Sequence, residues 1–393
     1  MGKRIRIMLA GICGYGENYI KELLSLRDPA VELSGIVDPF ADRSPYIAEV
    51  KSRNIPVFSS VDEYYLNRTA DLTVISSPIH THYQYIMSCL NHGSNVLCEK
   101  PICGDADQVK ILVEREKETG LFVAIGYQLC FARDVLALKR DILGGVYGKP
   151  LLLKSMWLPR RNTRYYRRNK WAGMTRYGGE KIYDSPLNNA CAHQLQIMLF
   201  LLGGEINRSA EIIDVDARLW KARPDIDNYD AAAVRLRTVE NTELLFFAAH
   251  CVEEQNIGPM GEFVFEKGVI RFERKGEANF TARFNDGGEK SYAEIEKGKP
   301  FQKLYDALES ALSGKPPVCT LETAEAHTRC VAMVQNFPIN KPAPEKLVYS
   351  NTDPENEYYY ISGLSDVFVK NYNNNELPPC SVFGPVDSGR NLC

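Results

Sequence analysis

Hydrophobic and polar positions alternate in a regular way over the first third of the chain. Short apolar runs are separated by longer stretches whose apolar residues recur at helical spacing. The runs predict strands at residues 4–10, 31–37, 72–76, 95–98 and 122–125, and the longer stretches predict helices that include residues 19–26, 83–90 and 106–117. Strands that alternate with helices form a parallel sheet with helices on both faces. We therefore predict a doubly wound α/β domain over residues 1–127.

The pattern changes near residue 151. β-rich segments follow at residues 151–157, 212–220, 231–237, 243–250 and 261–274, with one long helical pattern near 187–202 and two more at 301–312 and 321–334. We predict an α+β domain over residues 128–337 with a largely antiparallel open sheet. Residues 338–393, rich in Asn, Pro and Tyr, form a tail with room for a helix, and this tail could wrap a neighbouring copy.

Composition narrows the class of protein. The 393 residues are 45% hydrophobic and 25% charged, which is typical of a globular chain, and a net charge of -3 gives no reason to expect a nucleic-acid partner. The eleven cysteines are scattered and form no C-x-x-C pair, so we expect reduced thiols. No apolar run approaches the roughly 20 residues of a membrane span. The histidines lack metal-ligand spacing, so no metal is expected. We expect a complete cytoplasmic chain.

A glycine-rich loop follows the first predicted strand and opens the first helix; it consists of Gly11, Ile12, Cys13, Gly14, Tyr15 and Gly16. Such a loop lets a dinucleotide diphosphate approach the backbone at a helix N-terminus. Cys13 stands where the G-x-G-x-x-G pattern has its middle glycine, so weaker or shifted binding is expected. Asp38 lies about 20 residues further on, at the spacing where an acid binds the adenosine ribose and favours NAD. The alternatives are a plain glycine turn and a helix-entry turn at Asp38-Pro39.

Two further motifs end predicted strands. The fourth strand leads into Ser76-Ser77-Pro78-Ile79-His80-Thr81-His82, and the fifth ends in Glu99-Lys100-Pro101. Ligands of open parallel sheets bind at the carboxyl ends of the strands, where a partly desolvated lysine can exchange a proton with a substrate hydroxyl. Lys100 is therefore a candidate catalytic residue. The alternative is a Glu–Lys surface ion pair beside a turn proline.

Together these motifs resemble the Gfo/Idh/MocA family of dinucleotide-dependent oxidoreductases over about residues 4–337. The resemblance implies a Rossmann domain that binds NAD. It also places a set of residues near the cofactor: Ser76, Ser77, Pro78, His82, Glu99 and Lys100.

A second proton-handling candidate is His193. Ser185 as N-cap and Pro186 as first residue predict a helix from 186 to about 202, with Asn189 and His193 on one face. The family motif implied by the resemblance is D-x-x-x-H, with the histidine as base, and Asn189 departs from it. An asparagine cannot stabilise an imidazolium as a carboxylate would, so we expect Lys100 to carry more of the proton transfer. Asp184 is expected to lie too far away, at about 12 Å along the helix. The alternative is a buried core histidine.

Arginines and aromatic residues are concentrated in residues 159–171. Their fixed donor forks and flat faces suit a sugar or an anionic group on it, but a solvated loop or an oligomer contact is equally compatible with the pattern. The predicted substrate-binding residues are Tyr127, Gln128, Tyr166, Arg167, Trp171 and Asn189.

We therefore expect an NAD-dependent oxidoreductase that moves hydride between a secondary alcohol of a sugar, polyol or cyclitol and nicotinamide. Lys100, His193 and Asn189 would handle the hydroxyl proton, and the chain would form a homodimer or homotetramer. Two alternatives are an NAD-dependent glycosidase that acts through transient sugar oxidation and a non-catalytic dinucleotide-binding regulator.

Overall fold

A computed structural model describes residues 4–273, 280–292, 301–351 and 356–385. The chain divides into two compact units. Unit 1 comprises residues 1–131 and 298–325, and unit 2 comprises residues 132–297 and 326–393. Strands and helices are numbered below in chain order over both units.

Unit 1 is built on a parallel sheet. Its strands are β1 (Ile5–Ala10), β2 (Val31–Val37), β3 (Val57–Phe58), β4 (Leu72–Ile75), β5 (Asn95–Cys98) and β6 (Val123–Ile125). Among the described residues the strand order is β3-β2-β1-β4-β5-β6, and every pairing is parallel. The order reverses between β1 and β4, which is the point where a doubly wound sheet binds its ligand.

Five helices connect these strands: α1 (Gly16–Ser25), α2 (Ile47–Ser52), α3 (Val61–Asn67), α4 (Ile79–Asn91) and α5 (Ala106–Thr119). The doubly wound α/β fold predicted for this part of the chain is confirmed. The short strand β3 was not predicted, because two residues carry no periodic signal. α5 is capped at its C-terminus by Gly120, whose φ of 66° is the left-handed conformation that favours glycine.

Unit 2 is built on a second sheet. Its strands are β7 (Pro150–Pro159), β10 (Ile212–Trp220), β11 (Ala231–Thr238), β12 (Glu243–Ala249), β13 (Asn256–Phe265), β14 (Gly268–Glu273), β15 (Phe280–Phe284), β16 (Glu289–Tyr292) and β17 (Ile339–Asn340). In the described part of the chain their order is β16-β15-β14-β13-β7-β12-β11-β10-β17. Only the β7–β12 and β10–β17 pairings among these are parallel. The largely antiparallel open sheet is therefore confirmed, although the one strand predicted at residues 261–274 is a hairpin of β13 and β14 as far as residue 273, and residue 274 lies outside the described residues.

Three helices of unit 2 precede β10: α6 (Arg133–Leu143), α7 (Thr163–Arg167) and α8 (Ala192–Leu201). Two short strands, β8 (Arg176–Tyr177) and β9 (Glu180–Lys181), lie between α7 and α8. α8 begins six residues later than the sequence predicted. Ser185 does accept a hydrogen bond from the Asn188 N–H, but the Asn188 amide then donates to the Ile182 carbonyl. Such side-chain bonds compete with helical ones, so residues 185–191 form turns.

Two helices lie between β16 and β17 in the sequence: α9 (Gln302–Ser313) and α10 (Leu321–Val334). The sequence assigned both to the second domain, but the structure places α9 in unit 1. Its buried face carries Lys303, Leu304 and Ala307, and the helix packs on β1, β4 and β5. Periodicity reveals such a face but not the sheet that it covers. The unit boundary at residue 325 falls within α10.

The C-terminal tail is part of unit 2. It forms a hairpin of β18 (Leu347–Asn351) and β19 (Glu357–Ile361), followed by α11 (Leu364–Asn374). Leu364 and Phe368 of α11 lie in one buried cluster with Trp220 and Phe247 of the sheet. The tail therefore covers its own domain, and the expectation that it wraps a neighbouring copy is not needed to explain its apolar residues.

Nine cysteines of the described residues are free thiols, whereas Cys380 is disulfide-bonded, so the expectation of reduced thiols does not hold for that residue. Among the described residues no helix has both the length and the apolar character needed to cross a membrane.

Candidate functional site

The glycine-rich loop between β1 and α1 requires its glycines for different reasons. Gly11 has a φ of 92°, and a Cβ there would lie 2.7 Å from the Ser76 carbonyl oxygen. A Cβ on Gly16 would collide with the Gly11 carbonyl. Gly14 has a φ of 62° and no heavy atom within 4 Å of its ideal Cβ position. Gly11 and Gly16 therefore pack the loop tightly, while Gly14 borders open space.

Cys13 and Asp38 complete this loop. The Cys13 thiol donates to the Phe40 carbonyl at 3.5 Å, and burial, followed by the nearby Asp38 carboxylate, raises the pKa of the thiol to about 11. The Asp38 carboxylate accepts the Ile12 N–H at 2.9 Å and the Phe40 N–H at 2.8 Å. A carboxylate has about four acceptor positions, so Asp38 keeps capacity for ribose hydroxyls.

An orphaned hydroxyl marks the same edge of the sheet. Ser76 follows β4, its N–H donates to the Ala10 carbonyl at 2.7 Å, and its buried Oγ has no hydrogen-bond partner among the described residues. An unsatisfied buried polar atom calls for a partner that the chain does not supply. Together with the open space at Gly14 and the free acceptors of Asp38, it shows that these residues fit a dinucleotide.

His82 connects the segment after β4 with the segment after β5. Its Nδ1 lies 2.8 Å from the Pro101 carbonyl and its Nε2 lies 2.9 Å from the Ser77 carbonyl. The side chain is 1% exposed, and burial lowers the pKa of the imidazole despite the raising effect of the two carbonyls. The neutral imidazole has one N–H and donates it to one of these carbonyls, so His82 lies packed between the Ser77 and Pro101 segments. Its predicted place beside the cofactor stays a prediction.

The carboxylate of Glu99 has partners that are distant in the sequence. It forms a buried ion pair with Lys303 of α9 and accepts the Tyr19 hydroxyl at 2.7 Å. Glu99 is 9% exposed, Lys303 is 1% exposed and Tyr19 is fully buried. Burial, and then the Glu99 charge, raises the pKa of Tyr19 far above its usual range, so this phenol stays a donor. The role of Lys303 was not predicted from the sequence, although a lysine inside the apolar stripe of α9 indicates a buried acidic partner.

Lys100 lies at the carboxyl end of β5 and is half-buried. Its backbone N–H lies 3.4 Å from the second oxygen of Glu99, and the Lys100–Pro101 peptide bond is cis. The Glu99 contacts and the His82 contact therefore hold the backbone on both sides of this lysine. The glycine loop, Ser76 and Lys100 all follow the carboxyl ends of neighbouring strands in unit 1.

In unit 2, His193 lies in the first turn of α8 and is half-buried. Asn189 lies in the preceding turns, and its amide donates to the Asp184 carboxylate at 2.7 Å. The other Asp184 oxygen accepts the Gly173 N–H at 2.6 Å, and this aspartate is 2% exposed. The helix that was expected to separate Asp184 from His193 begins only at Ala192, because the intervening residues form turns, and the separation of these two residues stays a prediction.

The arginine-rich stretch lines a cleft of about 410 Å³ in unit 2. Its lining residues are Arg160, Arg161, Asn162, Arg164, Tyr165, Arg168, Gln255 and Tyr358. Most of them come from the end of β7 and from α7, which the sequence identified. Gln255 and Tyr358 come from distant segments without any sequence signal.

The predicted substrate residues lie in different places. Tyr127 is fully buried and Gln128 is half-buried, both in unit 1. In unit 2, Tyr166 is buried and its hydroxyl bonds to His250 Nδ1 at 2.9 Å, while Arg167 is exposed. Trp171 is half-buried, with the Arg168 guanidinium 5.4 Å from its ring. None of these five lines the cleft, and their roles stay predictions. Within the described residues no group of three or more His, Cys, Asp or Glu could hold a metal.

Comparison with known proteins agrees with this geometry. Residues 5–127 match the Gfo/Idh/MocA family, described as an oxidoreductase family with an NAD-binding Rossmann fold. An inositol 2-dehydrogenase from Mycolicibacterium gilvum is 23% identical over 362 residues, which cover 89% of this chain and 96% of that protein. Residues 5–127, all of them in unit 1, therefore match the NAD-binding Rossmann fold of this oxidoreductase family. The predicted family and cofactor are confirmed.

Other relatives match shorter parts of the chain. Inositol 2-dehydrogenase 1 from Mycolicibacterium vanbaalenii is 38% identical over 150 residues, or 38% of this chain and 43% of that protein. The chain also spans 43% of the length of each of two further inositol 2-dehydrogenases. The WlbA dehydrogenase from Bordetella pertussis, in complex with NADH and UDP-GlcNAcA, has a TM-score of 0.68 at 18% identity, covering 86% of this chain and 100% of that one. At this identity the likeness shows the fold alone.

Proposed function

We propose that this protein is an NAD-dependent dehydrogenase that acts on a secondary alcohol of a sugar, polyol or cyclitol. The observation that carries the proposal is the support given to Lys100. A buried acid–base pair and a buried histidine fix the backbone on both sides of it, at the sheet edge that also carries the glycine loop. A surface ion pair beside a turn would need no such support.

Several residues would hold the cofactor. The loop from Gly11 to Gly16 would face the diphosphate, Asp38 would accept from the adenosine ribose, and the Ser76 hydroxyl would gain its missing partner. Nicotinamide supplies a hydride acceptor or donor when it is bound. The chain's own task is to orient the alcohol and to handle its hydroxyl proton while the carbon loses or gains hydride.

Lys100 is the proposed proton-handling group in unit 1. In the oxidising direction a neutral amine takes the hydroxyl proton as the C–H bond breaks, and in the reducing direction the ammonium returns it. His193 in unit 2 is a second candidate for this proton transfer.

A panel of cyclitols and aldoses tests the proposal by the absorbance of NADH. We expect at least one member to reduce NAD, with turnover reduced about 10²–10⁴-fold in Lys100→Met and NAD affinity kept within a few-fold of the parent. Lys110→Met, which removes an exposed lysine of α5, serves as the control and keeps full turnover. NAD binding without turnover of any alcohol would favour the regulator, and cleavage of aryl glycosides without net NADH would favour the glycosidase.

A further inference from the structure

The cleft formed by β7, α7 and β19 is strongly basic. Arg160, Arg161, Arg164 and Arg168 line it together, and none of its eight lining residues is acidic. Four guanidinium groups around about 410 Å³ repel one another unless anions reach them.

Three of these arginines have no carboxylate partner within the part of the chain that the structure describes. Arg160 donates to the Glu253 carbonyl at 2.6 Å, and Arg168 donates to the Tyr165 carbonyl at 2.5 Å. Arg161 has a buried Nε without any hydrogen-bond partner among the described residues. These contacts orient the guanidinium groups but leave their charges uncompensated and their donor capacity partly unused.

Aromatic rings hold the guanidinium groups in place. Arg168 lies 3.7 Å and Arg161 lies 4.9 Å from the centre of the Tyr165 ring, and Arg160 lies 4.2 Å from the centre of the Tyr358 ring. Stacked guanidinium groups keep their donor edges available, as bidentate recognition of an oxyanion requires.

The electrostatics of the neighbouring buried groups support a positive potential in the cleft. His250 is 3% exposed, and its pKa is well below the usual range because of burial and then because of the charges of Arg161 and Arg168. Burial, and then the Asp184 carboxylate, raises the pKa of the Tyr165 phenol to about 12.

We propose that this cleft binds an oxyanionic group, a phosphate or a carboxylate, carried by the sugar substrate. The inference rests on the proposed function only in assigning the anion to the substrate. The dehydrogenase would then act on a sugar phosphate or an acidic sugar and discriminate against the neutral sugar, because an empty cleft would leave Arg160, Arg161 and Arg168 without a carboxylate partner among the described residues.

Calorimetry on the full chain without NAD tests the cleft, with inorganic pyrophosphate, glucose 6-phosphate, glucuronate and glucose as probes. We expect an anionic probe to bind about ten- to hundredfold more tightly than glucose, and its affinity to fall with rising salt. Tighter binding of glucose 6-phosphate than of glucuronate identifies phosphate as the group, and the reverse order identifies carboxylate.

Arg161→Gln and Arg168→Gln should each weaken that binding about tenfold or more. Arg140→Gln on α6 removes the same charge from an exposed position outside the cleft and should change nothing. Arg168 is exposed, so Arg168→Gln carries the test if Arg161→Gln does not fold. Arg168→Lys keeps the charge but loses the fork, and should recover only part of the affinity.

Anionic probes that bind no better than glucose, or that bind equally well to both glutamine variants, would overturn the proposal. Because these measurements need neither NAD nor turnover, they are independent of the dehydrogenase assay. Anion binding without oxidation of any alcohol would leave the cleft assignment standing while the proposed reaction fails.

Discussion

Lys303 forms a buried ion pair with Glu99, although the two residues are 204 positions apart in the sequence. The pair joins α9 to the end of β5, and Tyr19 of α1 completes it through its hydroxyl. The glutamate next to Lys100 is therefore a positioning residue. Its charge is neutralised by a lysine of α9, a helix that lies after β16 of unit 2 in the chain.

Lys303→Met should leave Glu99 as an unpaired buried charge. Loss of one partner of a buried pair costs about 3–5 kcal/mol, whereas removal of both partners costs much less. We expect the single variant to lose hydrogen-exchange protection in β4 and β5, and Lys303→Met combined with Glu99→Gln to recover most of it. Lys110→Met, which breaks an exposed pair with Asp107, should cost under about 1 kcal/mol. Equal effects of the two lysine variants would contradict the positioning role.

Short-range signals in the sequence were sufficient for most of the fold of unit 1. The strand at residues 95–98 and the helix at 321–334 were predicted with the bounds that the structure shows, because apolar spacing and turn residues determine them locally. The same local signals located the loop from Gly11 to Gly16 directly after β1, and Asp38 directly after β2.

Local signals could not reveal long-range partners or competing side-chain bonds. The Lys303–Glu99 pair depends on which sheet α9 covers, and Tyr358 reaches the basic cleft from the C-terminal hairpin. Ser185 and Pro186 are good helix-start residues, yet the amide of Asn188 bonds back to Ile182 and postpones the helix. Each error arises where a contact distant in sequence, or a side chain, outweighs backbone propensity.

Asp38 should determine the choice between NAD and NADP. Its carboxylate holds the Ile12 and Phe40 N–H groups and would repel a 2′-phosphate. We expect calorimetry to show tighter binding of NAD than of NADP. Asp38→Asn should weaken NAD binding about tenfold and narrow the difference between the NAD and NADP affinities. Asp42→Asn removes an exposed acid nearby and should preserve the preference. Equal or tighter NADP binding by the parent protein would refute the assignment.

Cys13 should react slowly with alkylating reagents at neutral pH. A pKa of about 11 leaves roughly a hundredth of the thiolate of an ordinary thiol, so iodoacetamide labelling should accelerate up to about pH 11. The other eight free thiols of the described residues are buried, so peptide mass spectrometry can follow Cys13 in the folded protein, with Cys13→Ser as the blank.

The same residue tests the glycine loop. We expect NAD to protect Cys13 from labelling, complete labelling to block NAD binding, and Cys13→Gly to keep or tighten it, because the loop would then present a glycine to the diphosphate. If fully labelled protein binds NAD with unchanged affinity, the diphosphate does not approach this loop.

His250 should make unit 2 sensitive to mild acid. Its folded pKa is well below 6.5, so above pH 6.5 both folded and unfolded imidazoles are neutral, and below it only the unfolded chain takes up the proton. The stability contributed by neutral His250 is therefore present above pH 6.5 and is lost as the pH falls toward the folded pKa, by up to about 1.4 kcal/mol per pH unit.

Tryptophan fluorescence measures this effect, because Trp157, Trp171 and Trp220 all lie in unit 2. Urea unfolding of the parent should lose stability between pH 6.5 and 5.5, and His250→Asn should lose clearly less over the same interval. His92→Asn in unit 1 should follow the parent. If the free energy of unfolding falls with pH at the same slope in the parent and in His250→Asn, then His250 titrates alike in the folded and unfolded states.

The last prediction separates the proton-handling roles of Lys100 and His193. Asn189 donates to Asp184, so this amide is committed to a buried acid and offers no charge to an imidazolium. Lys100→Met should therefore reduce turnover more than His193→Gln on the same alcohol. Asn189→Asp would place a second carboxyl against Asp184, where like charges raise the pKa of one of them and the two share a proton. We expect the pH–rate profile of Asn189→Asp to gain a group that titrates above the usual carboxyl range, while Asn189→Ala gains none. A larger loss in His193→Gln than in Lys100→Met, with an unchanged profile in Asn189→Asp, would make histidine the base despite its neutral neighbour.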